Sequence, residues 1–333
     1  MDHNEISRDG QDKTKSSNHS PSPLAHLQLR TDRQEDGIMS HDRLFPVAAF
    51  SGTLIEYSLP EAMRITAELG FDGIEIACRS PHLPLDMPLQ EVRKVRERAE
   101  ELGLAIPALA GYVGYFSNLT VEECKAAVED VRQLIQIASV LGVPYVRVFP
   151  GGPNAFKAEE HHYEQAARYL RACVEEAAES GVQILIEIHN QTLTEDAVSA
   201  MKLQGLTGDD RLGFIHDAGN MYISDVDYGA VSVQQLGASL CHVHVKDERR
   251  MAAAGEEGTF VNLTRHGNEA FMQCRLGEGE VDHAPLLGAL HQSGYSGWIT
   301  LECAAPYPAV ERLAYDLKEI QRLMAEVKAQ HQR

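Results

Sequence analysis

The stretch Gln183-Ile184-Leu185-Ile186-Glu187-Ile188-His189 decides the fold, because it is a short apolar run, typical of a buried strand, that ends in charged and polar groups. Three later runs end in the same way: His216-Asp217-Ala218-Gly219-Asn220, His242-Val243-His244-Val245-Lys246-Asp247 and Leu301-Glu302-Cys303. Burying an unpaired charge is costly. We therefore predict that these strand ends share one partner, a divalent metal ion held by Glu187, Asp217, His244 and Glu302.

Short apolar runs alternate with longer helical periods from Leu44 onward. The predicted strands begin near eight positions: Phe45, Gly73, Ile106, Pro144, Gln183, Leu212, Leu240 and Trp298. Amphipathic helical stretches lie between them, several ending at a glycine, over residues 60–69, 92–102, 121–141, 163–178 and 308–327. Eight such units predict an α/β protein with a (β/α)8 TIM barrel as a single domain over residues 44–330. A doubly wound open sheet is the alternative, but Ser51-Gly52-Thr53 lacks its glycine-rich phosphate turn.

One connection is longer than the others. It runs from Glu248 to about Val281, between the seventh and eighth strands, and contains the flexible composition of residues 252–258. A long loop at this end of a barrel is either a lid or substrate-contact element or a tolerated surface insertion. The sequence leaves both interpretations open.

The first 43 residues differ in composition from the remainder. They are rich in Asp, Ser, Asn, Gln and Lys and nearly lack large apolar side chains, so we predict a disordered N-terminal extension over residues 1–43. It lacks the apolar stretch of a secretory signal. One hypothesis is that Met39 is the true start, and an N-terminal peptide of the native protein beginning upstream would contradict it.

Charge and cysteine usage restrict the partners. The chain has 30 basic and 49 acidic residues, a formal net charge of −19, which repels nucleic-acid backbones and anionic lipid. Its six cysteines form no CxxC pair, which favours reduced thiols in a cytoplasmic protein. We expect a small-molecule sugar or polyol substrate and neither nucleic acid nor membrane as a partner. The oligomeric state stays open, and a homo-oligomer is compatible with the sequence.

Three carboxylates and one imidazole form a mainly oxygen site, which favours Mn²⁺ and also suits Mg²⁺, Co²⁺ or Zn²⁺. His189 lies two residues beyond Glu187 and so on the same strand face, where it contacts either substrate or protein. Arg250, just past the seventh strand, is a candidate ligand for a substrate hydroxyl or phosphate. We interpret the remaining polar groups structurally: a core histidine at His242, an ion pair rather than an acid/base group for Lys246–Asp247, and a buried Glu75–Arg147 pair if the strand register turns both side chains inward.

Several of these segments resemble the sugar phosphate isomerases and epimerases with a xylose isomerase-like barrel. The resemblance covers residues 45–327 and depends on the strand ends above. Its most specific part is Gly277-Glu-Gly279-Glu-Val-Asp282 leading to Gly294-Tyr-Ser-Gly297-Trp-Ile-Thr-Leu-Glu302. It implies the same four metal ligands, with Glu187 and Glu302 as the acid/base pair. Many members have a histidine three residues after the aspartate; this chain has Asn220, an amide that hydrogen-bonds substrate but does not titrate.

The resemblance implies a metal-dependent isomerase or epimerase that acts on a keto-sugar or related polyol through an enediolate. The alternative is a lyase on the same site, as in the related inosose and dehydroshikimate dehydratases, because loss of a β-hydroxyl follows from the same intermediate. An apurinic endonuclease requires more histidines and a basic face, which the net charge opposes. A scaffold without activity would have lost ligands, and all four are present.

Overall fold

The computed structural model describes residues 43–331. Of the predicted extension over residues 1–43, only Arg43 falls in this range, and it pairs with Asp72 at 2.8 Å; the remainder, with Met39, lies outside the described residues. Eleven strands are present among the described residues: β1 Val47–Phe50, β2 Gly73–Ala77, β3 Ala108–Gly114, β4 Tyr145–Phe149, β5 Gln183–Glu187, β6 Gly213–Asp217, β7 Leu240–Val245, β8 Asp247–Met251, β9 Thr259–Thr264, β10 Gly267–Cys274 and β11 Ile299–Leu301.

Nine α-helices connect these strands in the described part of the chain. They are α1 Leu59–Leu69, α2 Leu89–Leu102, α3 Val121–Leu141, α4 Glu160–Glu179, α5 Ala197–Thr207, α6 Ala218–Ile223, α7 Ala230–Leu236, α8 Ala284–Ser293 and α9 Ala309–His331. Local sequence explains their limits. Thr120 and Glu123 form a capping box that begins α3, and Gly142, with φ of 72°, ends it, since glycine enters the left-handed region without steric cost.

Eight strands close into a parallel barrel in the order β1-β11-β7-β6-β5-β4-β3-β2. All eight predicted barrel strands are present, so the predicted TIM barrel is confirmed. The strands are buried almost throughout, as the near-continuous apolar runs require when helices cover the outer face. Because every barrel strand runs in the same direction, the carboxyl ends of all eight meet at one mouth.

The connection between the seventh and eighth barrel strands is long, as predicted, but its secondary structure was not predicted. Instead of a loop, residues 247–274 form a three-stranded antiparallel sheet in the order β8-β10-β9, which we call the excursion sheet. The two-residue turn Arg265-His266 joins β9 to β10 as a hairpin. Asn154 Nδ2, in the loop after β4, donates to the carbonyl of Leu263 at 3.0 Å. The excursion sheet is therefore held to the barrel mouth.

Among the described residues, no helix combines the length and the apolar character needed to cross a bilayer.

Candidate metal centre

The four predicted ligands come together at the mouth of the barrel. Glu187 is the last residue of β5, Asp217 the last of β6, and Glu302 directly follows β11. His244 is opposite both Asp217 and Thr300 in the strand register. The parallel register therefore brings the ends of four neighbouring strands to one height without any unusual backbone.

Their ligand atoms surround one point. His244 Nδ1 lies 3.4 Å from Glu187 Oε1, 3.4 Å from Glu302 Oε2 and 4.0 Å from Asp217 Oδ2. One potential ligand atom from each of the four residues lies within 4.8 Å of those of the others. We call this set the metal cluster.

The residues present fit a divalent cation. Among the described residues, the buried His244 Nδ1 has no hydrogen-bond partner, and the buried Asp217 Oδ2 has none beyond its ion pair with Lys246, although buried polar groups are normally satisfied. Three carboxylates around one imidazole nitrogen are a negative, oxygen-rich donor set that a hard or borderline cation neutralises. Glu187, Asp217 and His244 are almost fully buried, whereas the Glu302 side chain is 19% exposed. Glu302 is therefore the most solvent-accessible residue of the metal cluster.

Two cations that the sequence interpretation assigned elsewhere neutralise the cluster. Arg147, on β4, donates to Glu187 Oε2 at 2.7 Å, so the predicted Glu75–Arg147 pair is wrong. Burial alone would raise the pKa of Glu187, but the Arg147 charge outweighs it and holds that pKa well below its usual range. Alternation along a strand indicates which side chains face inward, but it does not identify the partner across the barrel.

Lys246 is the second cation. Its Nζ lies 3.0 Å from Asp217 Oδ2 and 3.5 Å from Glu302 Oε2, so the predicted Lys246–Asp247 ion pair is also wrong. The Asp247 carboxylate accepts backbone N–H groups instead, including those of Gly277 and Gly279. Burial raises the pKa of Asp217 despite the nearby Lys246 charge, since Glu187 and Glu302 act in the same direction as burial.

Glu75 and Glu248 are two further buried carboxyl groups, and no role was predicted for Glu248. Glu75 bonds to His242 Nε2 at 3.0 Å and to His244 Nε2 at 3.0 Å, so His242 is a core histidine, as predicted, and is bonded through Nε2. Burial raises the pKa of Glu248 to about 8, although the Lys246 charge opposes this shift. Its Oε2 has no hydrogen-bond partner among the described residues.

The predicted substrate contacts lie in different surroundings. His189 Nδ1 is 2.7 Å from the Asn190 carbonyl, so Nδ1 carries a hydrogen and donates it to that oxygen. Asn220 is buried, and its Nδ2 donates to Glu187 Oε1 at 3.1 Å. Asn220 thus borders the metal cluster, and the contact of both residues with substrate stays a prediction.

Arg250 lies apart from these residues, on β8 of the excursion sheet. Its Nε donates to Glu269 at 3.1 Å, and its guanidinium lies over the rings of Tyr222 and Phe271. None of its contacts described here joins the metal cluster, and its role as a substrate ligand stays a prediction.

Comparison with known proteins decides the family. The family model described as "Xylose isomerase-like TIM barrel" matches residues 63–325. The chain belongs to this family. The match covers most of the barrel, including all four residues of the metal cluster.

Within the xylose isomerase-like TIM barrel family, the chain is similar to proteins with different activities. It is 27% identical over 275 residues to an inosose dehydratase of Lacticaseibacillus casei, which covers 79% of this chain and 88% of the relative. An L-ribulose 3-epimerase structure matches with a TM-score of 0.68 and 18% identity, over 87% of this chain and 97% of the other. The IolI protein, solved with a binding zinc atom, matches with a TM-score of 0.69 and 19% identity, over 85% and 99%. Both structural matches show the fold alone.

Proposed function

We propose that this protein is a divalent-metal-dependent enzyme that removes a proton next to the carbonyl of a keto-polyol and then eliminates a β-hydroxyl as water. The observation that carries the proposal is the metal cluster, in which three carboxylates and the Nδ1 of His244 converge at the barrel mouth. Mn²⁺ is the cation that we expect, and Mg²⁺, Co²⁺ or Zn²⁺ also suits the donors. The bound cation would polarise the substrate carbonyl and orient its oxygens.

We assign proton abstraction and the stabilisation of negative charge to two residues of the chain. Glu302 is the proposed base, because its carboxylate is the part of the cluster that reaches solvent. The C–H bond next to the carbonyl breaks and its proton goes to this carboxylate. The β C–O bond then breaks, a carbon–carbon double bond forms, and the leaving hydroxyl takes up the proton held by Glu302 and departs as water, which returns Glu302 to its carboxylate form. Lys246, 3.5 Å from Glu302, supplies a fixed positive charge for the oxygen that becomes negative.

Elimination is favoured over epimerisation by the ion pair between Arg147 and Glu187. An epimerase needs an acid and a base on opposite faces of one carbon. Arg147 donates to Glu187 at 2.7 Å and keeps its pKa low, which suits a metal ligand better than a group that must gain a proton. The similarity to an inosose dehydratase over most of both chains supports the same choice.

An isomerase or epimerase is the second candidate, with Glu187 and Glu302 as the acid/base pair. The observation that favours it is that one oxygen of each lies at the same distance, 3.4 Å, from His244 Nδ1. Both carboxylates therefore lie beside the point where a substrate bound to the cation would react. The same cluster thus accommodates either fate of the substrate.

A product assay in D₂O separates the two candidates. The Mn²⁺-loaded protein is incubated with a panel of inososes, ketoses and keto-sugars and followed by absorbance and mass spectrometry. Elimination gives an enone or diketone absorbance and loss of water. Solvent deuterium in a substrate or isomer that keeps all its oxygens would instead support the isomerase or epimerase, and no change with any of these compounds would contradict both.

The variants Glu187→Gln and Glu302→Gln test the two carboxylates. We expect turnover to fall by on the order of 10²-fold or more in each, since one disturbs a metal ligand and the other also removes the base. Glu195→Gln is the matched control, a buried carboxyl near the mouth that bonds to Asn154 outside the metal cluster. Full activity in Glu302→Gln would exclude Glu302 as the base.

A further inference from the structure

A buried carboxylate reaches the metal cluster from the opposite side of the barrel. Glu75 lies in the middle of β2 and is fully buried. Two strands, β1 and β11, separate β2 from β7 in the barrel order. The contacts of Glu75 with the β7 histidines therefore cross the interior of the barrel rather than follow a strand pair.

The contact with His244 is on the ring nitrogen that faces away from the cluster. His244 Nε2 lies 3.0 Å from Glu75 Oε2 and 3.2 Å from Glu75 Oε1. A carboxylate only accepts, so the hydrogen is on Nε2. The other nitrogen, Nδ1, has no hydrogen-bond partner in the part of the chain that the structure describes, and it is aimed at Glu187 and Glu302.

We propose that Glu75 is a positioning residue for the metal: by holding the Nε2–H of His244, it presents the Nδ1 lone pair to the cation and strengthens that bond. This inference deepens the proposed function and depends on its metal site. A carboxylate behind a ligating imidazole fixes the ring orientation and increases its basicity, and its loss lowers metal affinity by ~10–100-fold in other proteins.

His242 provides the internal comparison. Its Nε2 lies 3.0 Å from the same Glu75 oxygen and 2.9 Å from Thr300 Oγ1, and its Nδ1 faces no hydrogen-bond partner. Unlike His244, it is not among the four residues of the metal cluster. His242 thus shares the contact with Glu75 but not the contact with the cation, so the two histidines separate a metal-positioning role of Glu75 from a purely structural one.

The test measures Mn²⁺ affinity of the folded, metal-free protein by competition with a chelator, beside its free energy of unfolding in urea. Glu75→Gln keeps the volume but removes the charge, and Glu75→Asp keeps the charge but shortens its reach. We expect the Mn²⁺ dissociation constant to rise by ~10–100-fold in both. The control His242→Gln retains a donor toward Glu75, and we expect its affinity to stay within about threefold of the original.

Histidine-ring ¹⁵N NMR of the Zn²⁺-loaded protein gives a second, direct measurement. We expect His244 to show a metal-bound Nδ1 and a protonated Nε2. If Glu75→Gln does not fold, Glu75→Asp and this spectrum still decide the question.

Three results would overturn the inference. One is unchanged Mn²⁺ affinity in the folded Glu75 variants, which would make Glu75 structural only, even if they unfold more easily. Another is an equal loss of affinity in His242→Gln, which would indicate a general disturbance of the core. The third is a metal-bound Nε2 in His244. Failure of the unaltered protein to bind any divalent cation is a different outcome, because it would overturn the proposed function as well.

Discussion

At the residue scale, the ion pair between Arg147 and Glu187 gives the clearest test, because both side chains are nearly fully buried, at 3% and 1% exposure. Removing one partner of a buried pair leaves an uncompensated charge and costs about 3–5 kcal/mol. We therefore expect Arg147→Met to lower the free energy of unfolding by that order, measured with urea in the presence of a chelator.

The double variant Arg147→Met, Glu187→Gln is the control for this prediction. It removes both charges, so we expect it to recover part of the loss caused by Arg147→Met alone. If the double variant instead loses as much stability as Arg147→Met and Glu187→Gln lose together as single variants, the two side chains do not stabilise each other.

The same residues show what the sequence does and does not reveal about the site. The four strand-end residues of the metal cluster were predicted because strand ends in a parallel barrel meet at one mouth, whatever the details of packing. The partners of Arg147, Glu75 and Lys246 were not found. Each of these contacts depends on which inward-facing side chains meet across the barrel. The alternation of a strand shows which side chains face inward, but it carries no information about the distance between side chains on different strands.

At the scale of elements, Asp247 joins the barrel to the segment that follows the excursion sheet. Its carboxylate accepts the backbone N–H groups of Gly277, Gly279 and Val281 at 2.8–3.0 Å. Gly279 allows this close approach, since a Cβ there would lie 2.1 Å from Asp247 Oδ1. Hydrogen bonds to a charged group are each worth about 1.5–3 kcal/mol.

We therefore expect Gly279→Ala to lower the free energy of unfolding by roughly 2–4 kcal/mol, because the added methyl displaces the Asp247 carboxylate. Gly205→Ala is the matched control. It lies within α5 with no atom within 4 Å of its added Cβ, so we expect a gain of about 0.5–1 kcal/mol. Urea unfolding of both variants checks the pair, and equal effects would contradict the steric argument.

The excursion sheet shows which secondary-structure elements could not be predicted from the sequence. Long predicted elements such as α3, with a capping box and a terminal glycine, were located within a few residues. Strands β8 to β10 were missed because the flexible composition of residues 252–258 favoured a loop interpretation. Strand β9 also contacts the loop after β4, through the hydrogen bond from Asn154 to the Leu263 carbonyl, and no local sequence pattern reports a contact of this kind.

At the scale of the whole molecule, the C-terminal helix is attached to the segment after the excursion sheet by a buried carboxyl group. The ionisation of this group makes the free energy of unfolding depend on pH. Asp316, on α9, accepts the backbone N–H of Leu276 at 2.8 Å, and burial raises its pKa to about 6 although this hydrogen bond opposes the shift. In the unfolded chain the carboxyl loses its proton near pH 4. Its contribution to stability is therefore complete below that pH and is lost as pH rises through about 6.

Asp316→Asn keeps the acceptor oxygen but removes this titration. A pKa raised by about two units corresponds to on the order of 3 kcal/mol. We expect the free energy of unfolding of the variant, relative to the unaltered protein, to increase by up to that amount between pH 4 and pH 7, as measured by urea unfolding at both values. Asp130→Asn, on the exposed face of α3, controls for the change in net charge. A difference that is the same at both pH values would show that Asp316 does not couple the docking of α9 to protonation.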